Sequence, residues 1–136
     1  MIPEAYVSFE IAKLLKEKGF NENTLMVYMS YGDLCKCNRY DSISNSNYND
    51  ITKNYFECTA PTHQMACAWL REVYGIYVSA IPCAKQHTIV WQQNIINLKP
   101  IKEGGMFLQL EPHRKDYNSY EEAVEAALKY SLENLI

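Results

Sequence analysis

Residues 59–82, TAPTHQMACAWLREVYGIYVSAIP, leave the chain little freedom in what it can fold into. Pro61 has the fixed φ that suits a first helical turn, and Thr59 or Ala60 is placed to cap it. Met65, Ala66, Trp69, Leu70 and Val73 follow at helical spacing, which gathers them on one side of a helix over 61–74. Gly75 supplies a left-handed stop. The run 76–81 is then apolar on both faces apart from Ser79 and a tyrosine hydroxyl, which reads as an inner strand closed by Pro82. A helix wired directly into a buried strand requires a helix-on-sheet architecture. No pair of catalytic groups, phosphate loop or strong metal spacing lies within this stretch.

The flanking segments extend the same logic. Ser8 caps a helix over 8–18, Val7 and Ala12 form a hydrophobic staple, and Gly19 ends it with Phe20 placed to fold back on Leu15. Alternation predicts strands at 25–31 and 34–40 around a Gly32-Asp33 turn, and a short strand near 55–58. The polar, aperiodic stretch 41–54 reads as a long mobile loop between the last two. Strands over 88–98 and 106–111 follow, split by Gly104-Gly105. Ser119 and Glu122 make a capping box for a helix over 119–134, whose inner face is Val124, Ala127, Leu128, Ser131 and Leu135. The expectation is a single α+β domain over 1–136. Its order is α-β-β-β-α-β-β-β-α, with three helices on a mostly antiparallel sheet of five or six strands.

At 136 residues the chain can bury one substantial core. A formal charge of -3, with its lysines and arginines dispersed, argues against a nucleic-acid surface. No segment has the roughly 18 consecutive apolar residues that a membrane span needs. Glu4 and Glu10 interrupt what would have to be the apolar core of a signal peptide. Five cysteines without an export signal read as reduced thiols in a cytoplasm.

Residues 59–82, together with the C-terminal YNSYEEAVEAALKYSLENLI and the N-terminal FEIAKLLKEKGFNE, resemble a family of small proteins common in gut Bacteroidales, their phages and mobile elements. The resemblance covers the two ends and the middle of the chain, and leaves out 41–54 and 83–115. Tyr74 departs from it, standing where the family pattern leads one to expect His. The family carries no assigned reaction, so no functional residue transfers. The resemblance implies a bacterial cytoplasm and an accessory gene of phage or mobile-element origin.

Two constellations bear on chemistry. Cys35 and Cys37 share a strand face, and His63 and Cys67 lie one helical turn apart; with Cys58 they are the metal-ligand candidates. Against them, Cys-x-Cys is not the zinc-knuckle spacing, three separate elements would have to converge, and cysteine is often buried merely as a small hydrophobe. The same residues supply an alternative reading as a thiol enzyme, Cys67 beside His63 or Cys83 four residues before His87. The acidic cluster Glu121, Glu122 and Glu125 reads as a solvated first helical turn. The expectation is no metal, no disulfide and no cofactor.

The aromatic residues point elsewhere. Tyr28, Tyr31, Tyr55, Tyr77 and Trp91 fall on predicted strands, with Tyr28 and Tyr77 opposite in parity to their apolar neighbours. Three helices can cover one face of such a sheet, which leaves the other to display aromatics. The function expected is binding. The partners are a second copy of the chain as a homodimer, or a host or element-encoded protein. Weak binding of single-stranded nucleic acid is kept as a lesser alternative.

Overall fold

The computed structural model describes residues 1–36, 43–46, 55–106, 108–110 and 115–136. They are α+β and separate into two compact units, Met1–Thr62 and His63–Ile136. Among the described residues there is no sheet of five or six strands: each unit has its own antiparallel sheet, ordered β2-β1-β3 in the first and β4-β5-β6 in the second.

In the first unit, α1 (Phe9–Glu17) starts where Ser8 accepts a hydrogen bond from the Ile11 amide at 3.2 Å. It ends as its sequence requires. Gly19 takes φ +94, and Phe20 N–H donates to the Leu15 carbonyl at 2.8 Å, folding the buried ring back over the helix. β1 (Met26–Met29) sits between β2 (Leu34–Lys36) and β3 (Phe56–Thr59). Tyr31 therefore lies in the turn after β1 rather than on a strand, and Tyr55 lies in the turn before β3. One sheet face, Val27 and Met29, packs with Ile43, Cys35 and Phe56. On the other face, Tyr28 meets the Phe9 ring edge-on at 5.3 Å and donates its hydroxyl hydrogen to the Val7 carbonyl at 2.6 Å.

Part of the stretch read as a mobile loop is built into this unit. Ile43 exchanges two backbone hydrogen bonds with Thr24, both 2.8 Å. Asn45 donates to the Phe20 carbonyl at 2.7 Å and accepts from the Thr59 amide at 2.9 Å. The asparagine side chain thus ties the end of the α1 cap to β3. The remainder of 41–54 lies outside the described residues.

In the second unit, α2 (His63–Trp69) runs into a π-helical turn, Leu70–Tyr74, closed by Gly75 at φ +67. The wider turn shifts later side chains around the axis. Trp69 and Leu70 are buried as their spacing requires, but Val73, expected on the same face, is exposed. β4 (Ile76–Lys85) and β5 (Thr88–Asn97) form one long hairpin around Gln86 and His87, both at positive φ. A short helical turn, α3 (Lys99–Lys102), precedes β6 (Leu108–Leu110). The last helix, α4 (Tyr120–Asn134), begins with Ser119 accepting from the Glu122 amide. Glu122 reaches back to the Asn118 amide, one residue before the position a capping box specifies. α4 buries Val124, Ala127, Leu128, Ser131 and Leu132.

Two expectations about the hairpin are overturned together. Among the described residues β4 is an edge strand, not an inner one, and it continues through Pro82 to Lys85. Trp91 explains both. Its N–H and C=O are both bonded to Tyr117, at 2.9 and 2.8 Å, and so point away from β4. Trp91 is the cross-strand partner of Pro82, so the pair exchanges no hydrogen bonds and the proline nitrogen faces the outer edge. At that position a missing N–H costs the ladder nothing.

Candidate functional site

The second sheet has two unlike faces. Ile76 and Val78 of β4, and Trp91, Gln93 and Ile95 of β5, lie on the α4 side. There Ile95 is fully buried, the Trp91 ring meets Tyr120 edge-on at 5.4 Å, and Gln93 donates to the Tyr117 hydroxyl at 2.8 Å. Burial against these neighbours also raises the Tyr120 phenol above its ordinary range.

The opposite face presents Tyr77, Ser79, Ile81, Cys83 and Lys85 alongside Ile96, Asn94, Gln92, Val90 and Thr88. Tyr77 is 37% exposed and Ile81 40% exposed. Between them Asn94 donates to Ser79 Oγ at 3.0 Å, a polar bridge inside an otherwise apolar strip. Towards the hairpin tip Asp116 accepts from Gln92 at 3.0 Å and from Lys85 at 2.7 Å. Those bonds hold the Asp116 carboxyl below its ordinary range and the Lys85 ammonium above its own.

The aromatic candidates are divided between the two units. Tyr28 is enclosed within the first unit: its parity opposite Val27 was right, but α1 covers the face it occupies. Tyr31 and Tyr55 are exposed in turns of that unit. Tyr77 and Trp91 belong to the second sheet but lie on opposite faces. Tyr77 is exposed on the face opposite α4.

The metal candidates are likewise divided. Cys35 is paired with Val27 and Cys58 with Tyr28, so the two thiols project from opposite faces of the first sheet. Cys37 lies outside the described residues. His63 and Cys67 share α2. Desolvation pushes both the Cys58 and Cys67 thiols up to about 11, which keeps them protonated and poorly nucleophilic at neutral pH.

The partner of His63 is a residue that the sequence reading assigned to solvent. His63 Nε2 lies 2.6 Å from Glu125 Oε2 on α4, while His63 Nδ1 is buried with no hydrogen-bond partner among the described residues. Sixty-two positions separate the two residues, and nothing local in the sequence pairs them. Glu125 follows buried Val124 and precedes buried Leu128 at helical spacing, which was the available signal that it borders the core.

No family model, curated protein or solved structure matches this chain.

Proposed function

We propose that this protein is an interaction module that acts by binding protein, and that its first partner is a second copy of itself. The observation that carries this reading is the sheet face opposite α4, where Tyr77 and Ile81 are exposed beside Val90 and Ile96. A strip of that composition on a rigid hairpin is suited to a protein partner. The chain's negative charge, the burial of Tyr28 and the turning of Trp91 to the α4 side disfavour single-stranded nucleic acid as the occupant. The thiol or metal alternative is weakened by the opposed faces of Cys35 and Cys58 and by the protonated state of Cys58 and Cys67.

The resemblance to small proteins of gut Bacteroidales, their phages and mobile elements supports a setting in a bacterial cytoplasm. There an accessory protein would engage a host or element-encoded partner. Among the described residues no helix is long and apolar enough to cross a membrane. Light scattering on the purified chain tests the self-association. The expected mass is about twice 15.8 kDa at tens of micromolar, and a monomer at that concentration refutes the dimer.

A further inference from the structure

We infer that two copies join edge to edge through β4, as an antiparallel pair centred on Val78. This rests on the self-association proposed above and specifies its geometry.

The direction of the backbone groups carries the argument. Leu98 N–H donates to the Gly75 carbonyl at 2.8 Å, in continuous register with the hairpin. Alternation then turns the groups of Tyr77, Ser79, Ile81, Cys83 and Lys85 towards β5. Those of Ile76, Val78, Ala80, Pro82 and Ala84 face outward, and the Trp91–Tyr117 bonds fix the same parity independently. Among the described residues no strand pairs with this outer edge. Unpaired donors and acceptors at alternate positions are a template for one kind of occupant, an extended strand.

Pro82 selects the register. With the two-fold at Val78, Ile76 lies opposite Ala80 of the second copy, Val78 opposite Val78, and Ala80 opposite Ile76. Every outward N–H and C=O of those residues is then used. Pro82 falls opposite Tyr74, which belongs to the π-helical turn and not to the strand, so its missing donor is not needed. A centre nearer the hairpin tip would set Pro82 against a carbonyl that it cannot satisfy. A centre nearer Gly75 would leave Ala80 facing the turn. The same segment, related to itself by a two-fold, thus satisfies its own hydrogen bonds, and a closed pair follows rather than an open filament. The two sheets would become one, with Tyr77 of each copy opposite Ser79 of the other on the open face.

The decisive variant is Ala80→Pro. It removes an outward N–H and leaves the β4–β5 ladder untouched, as Pro82 already does two residues on. Its helical circular dichroism should match the wild type while its mass by light scattering falls to that of a monomer. Ile81→Lys, which changes the open face but no edge group, should remain a dimer. Amide exchange provides a reading without substitution: Val78 and Ala80 N–H should be protected in concentrated protein and lose protection on dilution. A monomeric wild type overturns both this inference and the self-association on which it rests. A dimeric wild type overturns only the edge geometry if Ala80→Pro stays dimeric, or if Ile81→Lys alone dissociates it. Should Ala80→Pro fail to fold, unprotected Val78 and Ala80 amides in the concentrated wild type overturn it equally.

Discussion

His63 Nε2 and Glu125 Oε2, 2.6 Å apart, join the first residue of α2 to the inner margin of α4. That contact occupies Nε2, while Nδ1 is buried with no hydrogen-bond partner among the described residues. Glu125→Ala would leave the ring nitrogen without its partner in a site where water has little access, costing about 1–3 kcal/mol. Glu125→Gln retains an acceptor and should lose less. Chemical denaturation of both variants checks this; equal stability of Glu125→Ala and wild type would show that the contact is dispensable.

Trp69 is buried, and its ring meets Tyr74 edge-on at 5.2 Å, across the π-helical turn. Trp69→Ala should cost about 3–5 kcal/mol, because the surrounding helix and sheet cannot close over the space left by an indole. A melting temperature within a couple of degrees of wild type would contradict that placement.

Asn45 is the corresponding keystone of the first unit, since one side chain satisfies both the Phe20 carbonyl and the Thr59 amide. Asn45→Ala leaves the Thr59 N–H buried without that acceptor, for an expected loss of about 1–3 kcal/mol. Asn45→Asp keeps the acceptor for Thr59 but gives up the donor to Phe20, and should fall between. Faster exchange of the Thr59 amide in Asn45→Ala, seen by NMR, would assign the loss to this bond.

These three sites divide what could be read from the chain from what could not. Helix caps were legible because Ser8, Gly19, Ser119 and Gly75 act on residues within a turn of themselves. The split into two sheets was not, because strand partners are chosen by packing at long range, and alternation in 25–31 does not say which sheet it joins. Parity correctly separated Tyr28 from Val27 and Met29. It could not show that α1 covers one face of the first sheet while Ile43, from the supposed loop, packs on the other. Pro82 was read as a strand end by a rule that assumes both edges of a strand are paired. On an edge strand only every second N–H is needed.

The thiols of Cys58 and Cys67 make a prediction with a defined direction in pH. Burial raises each from 9.0 to about 11, so the folded state disfavours the thiolate. The associated stability is fully present below pH 9.0 and is lost as the pH rises through about 11. Replacing Cys67 by Ala should therefore flatten the alkaline fall in melting temperature over that window. At neutral pH both thiols should react with iodoacetamide far more slowly than a small free thiol. Rapid labelling of Cys67 in the folded protein would show that its surroundings favour the thiolate, and would revive the thiol reading.

Pro82 provides the last prediction, because its nitrogen faces the outer edge of β4 and makes no contribution to the hairpin ladder. Pro82→Ala should leave the fold intact, with stability changed by no more than about 1 kcal/mol, since the loss of a rigid residue acts mainly through the unfolded chain. Its effect should appear in assembly. The new N–H extends the outward row beyond Ala80 and makes registers nearer the hairpin tip available. A two-fold centred on Ile81 would set the exposed Ile81 side chains of the two copies opposite one another. Amide exchange should then show protection spreading to the Ala84 N–H, which the wild-type register leaves outside the pair, while sedimentation velocity still shows a pair because each copy offers one outer edge of β4. An Ala84 amide that stays unprotected in a folded Pro82→Ala protein would mean that the proline does not limit edge pairing.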